Sequence, residues 1–336
     1  MKIFAADWLP YALPLKQPWQ THRGTFSQRT GRLLRLQTAD NRTGWGDCAP
    51  LPEFGISAAA AAAFAEETAQ LDLVAQRAGQ PLHGWLSGEA PVADVAVNQN
   101  FGSILNFAGG PGEAKIGPNG SAGESMAHRL KRSAEAGFSV IKFKVGVSPI
   151  DLEIAAMLEI ADALPAGLRL RLDANCAWSR DEAQRFLSAC GGLPIESLEE
   201  PLAEPDFDFL QKIQSTVAFP LAIDESVHLL DTRFFRHPPV RRIVLKPARH
   251  GGLLASTELA LRARASDIEV IVTSSLESAC GLLACAHLAA AVAPTAIHGL
   301  ATAEWFASDT GEPPPIANGR LKLPDAAGLG FHPFGA

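Results

Sequence analysis

Two rhythms of apolar and polar residues divide the chain. In the first ninety residues, Leu33 to Gln37 and the stretch around Trp45 alternate apolar and polar side chains. With Gly24, Asn41 and Gly44 as turn residues, this predicts a meander of antiparallel strands. From Ser57 to Gln76 an Ala-rich run carrying Phe64, Leu71, Leu73 and Val74 predicts a helix with Ser57 as its N-cap. Residues 109–123 hold six glycines and two prolines, which predicts an ordered loop serving as a lid or an edge element.

Beyond that loop the second rhythm begins. Short β-rich runs alternate with helical segments, and each run ends in a polar residue: Val140–Lys144, Leu168–Asp173, Ser197–Glu199, Leu221–Asp224, Ile243–Lys246, Val270–Thr273 and Ala296–His298. Successive terminal polar residues stand 22 to 29 residues apart, room for one strand, one helix and two short loops. Val92 to Asn98 supplies an eighth strand. Eight parallel strands with intervening helices close into a barrel, and no G-x-G-x-x-G follows any run to favour an open dinucleotide-binding sheet. The expected fold class is therefore α/β.

Composition narrows the function. Of 336 residues, 47% are apolar and 19% charged, enough for a sizeable core and too apolar for a disordered chain. The net charge of −7 comes without a basic run, which argues against nucleic acid as a partner. The apolar stretch Ala279 to Pro294 is interrupted by His287 and too short to span a bilayer, so no membrane partner is expected. The five cysteines form no C-x-x-C pair, and Met1-Lys2-Ile3-Phe4 starts like a strand rather than a signal peptide. A cytoplasmic location is the expectation.

In such barrels the active site lies at the carboxyl ends of the strands. Lys142, Lys144, Asp173, Glu199, Asp224 and Lys246 fall there, three carboxylates on successive strands with lysines on either side. Neighbouring strands are about 4.8 Å apart, so three such carboxylates can converge on one hard cation such as Mg²⁺. A cation of this kind acidifies the proton α to a bound carboxylate, and a lysine beside it is biased toward acting as a base. Glu199 and Glu200 are adjacent and face opposite ways on a strand, so the pattern leaves open which of them faces the mouth.

These motifs resemble those of the enolase superfamily over nearly the whole chain. Ile141-Lys142-Phe143-Lys144 is similar to its K-x-K strand, Asp173-Ala174-Asn175 to its D-A-N strand and Glu199-Glu200-Pro201 to its E-x-P strand. Asp224-Glu225-Ser226 and Leu245-Lys246-Pro247 resemble the third metal strand and the second lysine strand. The second lysine points to the muconate-lactonizing-enzyme-like subgroup. Within it, Gly44 to Gly55, Thr273 to Ser278 and His298 to Thr302 resemble the o-succinylbenzoate synthase family of menaquinone biosynthesis. Dipeptide epimerases of the subgroup carry a D-x-D in the eighth-strand region, which is missing here.

The resemblance implies a modified TIM barrel, (β/α)7β, over residues 91–302. An α+β capping domain would be formed by residues 1–90 and completed by the tail 303–336, with loops at Thr21 to Arg29 and Pro50 to Ile56 closing over the site. It implies a dehydratase, a carbon–oxygen lyase acting on a small-molecule carboxylate. Mg²⁺, with Mn²⁺ as an alternative, would be held by Asp173, Glu199 and Asp224. Lys144 would be the base, Lys246 the cation facing the substrate ring and Lys142 an assisting charge. Arg171 and Asn175 would brace the metal end, and Ser274, Ser275, His298 and Gly299 would hold the substrate tail. The alternatives on the same scaffold are an N-acylamino-acid racemase, a muconate-type cycloisomerase and an idle barrel that only binds. Trp19, Trp45 and Phe54 are expected to pack in core or lid, and His22, His83 and His128 to be surface or packing residues. A Cys176 thiolate does not suit Mg²⁺. Oligomeric state stays open.

Overall fold

The structure, a computed structural model, describes residues 2–21, 24–106 and 125–335. The glycine-rich stretch 109–123 and His22 lie outside the described residues. The chain divides into two compact units, one of Met1–Ala96, Leu245–Leu261 and Ile271–Ala336, the other of Val97–Val244 and Arg262–Val270.

The chain opens as the expected meander. Strands β1 (Ile3–Thr21), β2 (Gly24–Thr38) and β3 (Thr43–Cys48) pair antiparallel in that order. Asn41 turns β2 into β3 at φ 59°, a left-handed conformation that asparagine tolerates. Gly44 makes no turn. It lies inside β3, where an added Cβ would stand 2.2 Å from the carbonyl oxygen of Ala69, and one at Gly46 would stand 1.9 Å from that of Ala65. Both carbonyls belong to helix α1 (Ala58–Ala78), capped by the Ser57 hydroxyl, which accepts from Ala60 N at 3.1 Å. The alanine-rich helix and the glycine-bearing strand explain each other, because only side chains this small allow so close an approach. Asp72 of α1 ties the layers together by accepting from Trp45 N at 3.0 Å.

Helix α2 (Leu82–Ser87) and strand β4 (Asp94–Val97) follow. Then comes the regular part: β5 (Gln99–Ser103), α3 (Met126–Glu135), β6 (Val140–Lys144), α4 (Ile150–Asp162), β7 (Arg169–Asp173), α5 (Arg180–Cys190), β8 (Ile195–Glu199), α6 (Phe207–Gln214) and β9 (Leu221–Ile223). It continues through α7 (Thr232–Arg236), β10 (Arg242–Leu245), α8 (Leu253–Arg264), β11 (Glu269–Val272), α9 (Ala279–Val292) and β12 (Ile297–His298). Strands β5 to β11 lie in one sheet in chain order. A parallel bridge between Thr273 and Gly299 carries the pairing from the end of β11 to β12, and β12 lies beside β4, which runs into β5. Among the described residues, eight strands with seven helices between them give the expected (β/α)7β order.

One expected strand is displaced. The partner of β6 is β5, with Gln99 opposite Ile141, rather than the run from Val92 to Asn98. Val95 and Val97 of that run are buried, but β4 pairs antiparallel with a tail strand, Leu321 opposite Val95. Apolar alternation alone does not distinguish a parallel partner from an antiparallel one. The tail strands β13 (Ile316–Ala317) and β14 (Arg320–Lys322) complete this small sheet, in the order β12-β4-β14-β13.

Candidate active site

Alternation along each strand decides which side chains meet. Lys142 and Lys144 stand two apart on β6 and share a face, while Phe143 between them packs edge-on against Phe101, ring centroids 5.4 Å apart. The parallel register then places Lys144 opposite Asp173 and Asp173 opposite Glu199, the last residues of β6, β7 and β8. Asp224 follows β9 directly. Asp173, Glu199 and Asp224 are all buried.

The two ammonium groups share these carboxylates. Lys142 Nζ donates to Glu199 Oε2 at 2.5 Å and lies 3.0 Å from Asp173 Oδ2. Lys144 Nζ lies 3.0 Å from the same Asp173 oxygen and also donates to Asn175 Oδ1. Burial disfavours the Lys142 ammonium, but the charges of Asp173 and Glu199 overcome this and hold it above the ordinary lysine range. Glu199 is pushed up, first by burial and then by the charges of Asp173 and Asp224, with Lys142 opposing.

The adjacent glutamates separate cleanly. Glu199 enters the lysine cluster, whereas Glu200 adopts φ 42° and turns its carboxylate the other way. Glu200 Oε2 accepts from the backbone N–H of Asp224 at 2.7 Å and of Ser226 at 3.1 Å, and Oε1 accepts from the Ser226 hydroxyl. Burial, reinforced by the charge of Glu225, pushes it up to about 7. It holds the turn that carries Asp224.

One layer beneath lies an ionic network that the sequence reading missed. Fully buried Arg171 donates through Nε to Glu196 Oε2 at 2.8 Å and through Nη1 to Asn98 Oδ1 at 3.1 Å. Arg242 reaches Glu196 Oε1 at 2.6 Å. Glu196 arrives there because the register between β7 and β8 skips it, Leu170 facing Ile195 and Arg171 facing Ser197. Such a bulge re-aims a side chain. Burial opposes the Glu196 charge, yet the two guanidiniums bring its carboxyl down to about 2. Held by Glu196 and Asn98, the Arg171 guanidinium also opposes the upward shift of Glu199 through its charge.

The other expected residues lie in the first unit. Lys246 directly follows β10, and its backbone N–H donates to His250 Nδ1 at 3.1 Å. The Ser274 hydroxyl pairs with that of Thr302 at 2.7 Å, and Ser275 N donates to Glu277 Oε2 at 2.6 Å. Fully buried His298 accepts from Val272 N at 3.0 Å through Nδ1, and its Nε2 lies 3.0 Å from the Ala293 carbonyl. Gly299 donates to the Val272 carbonyl and accepts from Ser274 N. In the loop from Pro50 to Ile56, Phe54 stacks on Trp19 at 5.4 Å and tilts against Phe26 at 6.3 Å. Arg29, which no local pattern marked, donates to the carbonyls of Ala49, Pro50 and Leu276.

The donor set fits a divalent cation in its chemistry. All three candidate ligands are carboxylates, and Glu199 Oε1 is buried without a hydrogen-bond partner. An orphaned acceptor of this kind costs free energy until a cation or donor meets it. Among the described residues no three His, Cys, Asp or Glu side chains are already gathered as a cage, and the charge between Asp173 and Glu199 is the Lys142 ammonium.

Residues 125–334 match the family described as Enolase C-terminal domain-like, and residues 5–90 match the MenC N-terminal domain. The o-succinylbenzoate synthase of Pectobacterium atrosepticum is 30% identical over 87% of this chain and 88% of its own length. The chain belongs to the o-succinylbenzoate synthase family of the enolase superfamily. The family's enzyme from Thermosynechococcus vestitus is likewise 30% identical, over 89% of this chain and 92% of its own. Among solved structures, a dipeptide epimerase from Cytophaga hutchinsonii complexed with Mg and a dipeptide has a TM-score of 0.84. It is 22% identical and covers all of this chain and 97% of its own, a likeness of fold. No helix among the described residues is long and apolar enough to cross a membrane.

Proposed function

We propose that the chain dehydrates 2-succinyl-6-hydroxy-2,4-cyclohexadiene-1-carboxylate to o-succinylbenzoate, as a carbon–oxygen lyase of menaquinone biosynthesis. The observation that carries this reading is the run of Lys142, Lys144, Asp173, Glu199 and Asp224 on neighbouring strand ends, in a chain 30% identical to o-succinylbenzoate synthases over most of its length. Asp173, Glu199 and Asp224 are assigned to hold Mg²⁺, with Mn²⁺ as a substitute. The ion, when bound, supplies positive charge to the substrate carboxylate and so acidifies the proton α to it.

Lys144 then has two tasks. Its Nζ takes the α-proton and afterwards returns a proton to the departing hydroxyl. The C–H and C–O bonds break, a ring double bond forms and water leaves. Lys142 keeps the carboxylate cluster compensated. Lys246 is assigned as the cation facing the ring, a contact worth roughly 0.5–2 kcal/mol. Arg171 and Asn175 are assigned to the metal end, and Ser274, Ser275, His298 and Gly299 to the succinyl tail. All five cysteines are free thiols, in keeping with a cytoplasmic setting.

An ultraviolet assay with the cyclohexadiene substrate, run with Mg²⁺ and with EDTA, tests the reading. Metal-dependent appearance of the aromatic product is expected. No conversion by a protein that still binds Mg²⁺ would overturn it in favour of racemisation or cycloisomerisation.

A further inference from the structure

Asn175 and Glu225 follow two of the candidate metal ligands at short remove, Asp173-Ala174-Asn175 and Asp224-Glu225. Asn175 takes the left-handed conformation at φ 45°, and its backbone N–H donates to Asp173 Oδ1 at 3.1 Å. The side chain is thereby presented to Lys144, whose Nζ donates to Asn175 Oδ1. The other end of the amide faces Glu225: Asn175 Nδ2 donates to Glu225 Oε1 at 3.0 Å.

An amide has one accepting and one donating end, whereas a carboxylate only accepts. Glu225 therefore fixes which way the Asn175 amide points. With the donor end held by Glu225, the acceptor end must face the lysine. If the amide turned over, its NH₂ would face the Lys144 ammonium, and two donors would oppose each other. We propose that Glu225 is a positioning residue for Lys144, acting through the Asn175 amide and touching no reacting atom. The inference rests on the reading of Lys144 as the base. That base serves twice, once to take a proton and once to return it, so its place matters in both steps. Misplacing a reacting group by about 1 Å costs roughly 100-fold.

Two measurements test the inference. The first is steady-state kinetics of Glu225→Ala and Glu225→Gln with substrate protiated or deuterated at the α-carbon, alongside Mg²⁺ titration calorimetry. Glu225→Ala is expected to lower kcat by about 10- to 100-fold, to leave KM and Mg²⁺ affinity within about threefold, and to raise the isotope effect on kcat. Glu225→Gln keeps an accepting oxygen and should fall between Glu225→Ala and the parent. An unchanged kcat, a loss with an unaltered isotope effect, or a parallel fall in Mg²⁺ affinity would each overturn the inference, the last by showing that Glu225 acts through its neighbour Asp224. The second measurement is a crystal structure of Glu225→Ala, in which Lys144 Nζ is expected to lose Asn175 Oδ1 as an acceptor. Lys144 held in place there overturns the inference without reference to any substrate. If the parent protein turns over no substrate, the proposed reaction fails, and the crystal structure alone still decides whether Glu225 places the lysine.

Discussion

His83 Nδ1 lies 2.9 Å from His287 Nδ1 in a buried stacked pair, and the surrounding partners assign the tautomer of each ring. His287 Nε2 lies 3.1 Å from the Leu329 carbonyl and so carries the proton there. Its Nδ1 is left to accept, from the His83 ring and from the His83 backbone N–H at 3.1 Å. Val92 N donates to His83 Nε2 at 3.1 Å, so the proton of His83 sits on Nδ1. A further proton on either ring would meet an N–H already pointing at it.

The pair should make the fold acid-sensitive. Burial, aided by His83, lowers His287 from 6.5 to about 3, and burial also lowers His83. Between these limits the unfolded chain binds more protons than the folded one, so stability is present above pH 6.5 and declines as the pH falls. His287 alone contributes a slope of up to about 1.4 kcal/mol per pH unit. His287→Leu should lower stability at pH 7 by about 2–4 kcal/mol, because two buried donors lose their acceptor, and should flatten the slope. Urea unfolding at pH 7.5, 6, 5 and 4 checks both; an undiminished slope in the variant would assign it to other groups.

Glu196 predicts a second acid-labile term at lower pH. Its carboxyl stands at about 2 in the fold against an ordinary 4.5, so its contribution is present above 4.5 and lost as the pH falls toward 2. Glu196→Ala removes the carboxylate that faces both Arg171 and Arg242 in the interior and should destabilise by about 3–5 kcal/mol. Denaturant midpoints report it directly.

Two glycines should respond to alanine for different reasons. At Gly46 a methyl group would overlap the Ala65 carbonyl, whereas at Gly79, with φ 68°, nothing lies within 4 Å and only the backbone resists. Gly46→Ala should therefore cost about 3 kcal/mol or more, and Gly79→Ala about 1–2 kcal/mol. The reverse order in unfolding experiments would contradict the close packing of α1 on β3.

Lys144→Ala should lower kcat by about 10²–10⁴-fold, the usual worth of one acid–base group. Nuclear magnetic resonance of the substrate in D₂O separates its two tasks, since exchange of the α-proton should stop in the variant. Persistent exchange would remove Lys144 as the base.

Asp224→Asn should weaken Mg²⁺ binding by more than about 100-fold, with the thermal midpoint within a few degrees of the parent. Calorimetry and circular dichroism give the two readings independently. Unchanged affinity would take Asp224 out of the ligand set.

The sequence displayed the barrel because its strands are regular. Each β-rich run ended in a polar residue, and that residue fell within one position of the structural strand end from Lys144 to His298. The same regularity brought Lys142, Lys144, Asp173 and Glu199 together, since strand alternation and register are local rules. What stayed hidden depends on partners distant in the chain. Val95 reads as part of a barrel strand because its partner Leu321 lies more than two hundred residues away. Arg171 alternates in step with Asp173, but only the bulge at Glu196 shows which carboxylate it meets. His83 carried no sign of His287, and Arg29 no sign of the three carbonyls it holds.

The division of the chain into units sets an order for synthesis on the ribosome. The second unit is nearly continuous, whereas the first needs Met1–Ala96 together with segments that begin at Leu245. At about 5–20 residues per second, the roughly 150 residues between them take about 7–30 s to emerge. Throughout that interval β3 has α1 but lacks α9, β4 lacks its partner β14, and Asp72 lacks the N–H of Leu329. The meander is made well before the segments that finish it, and its buried Leu13 and Leu15 must await Leu276 across the whole delay.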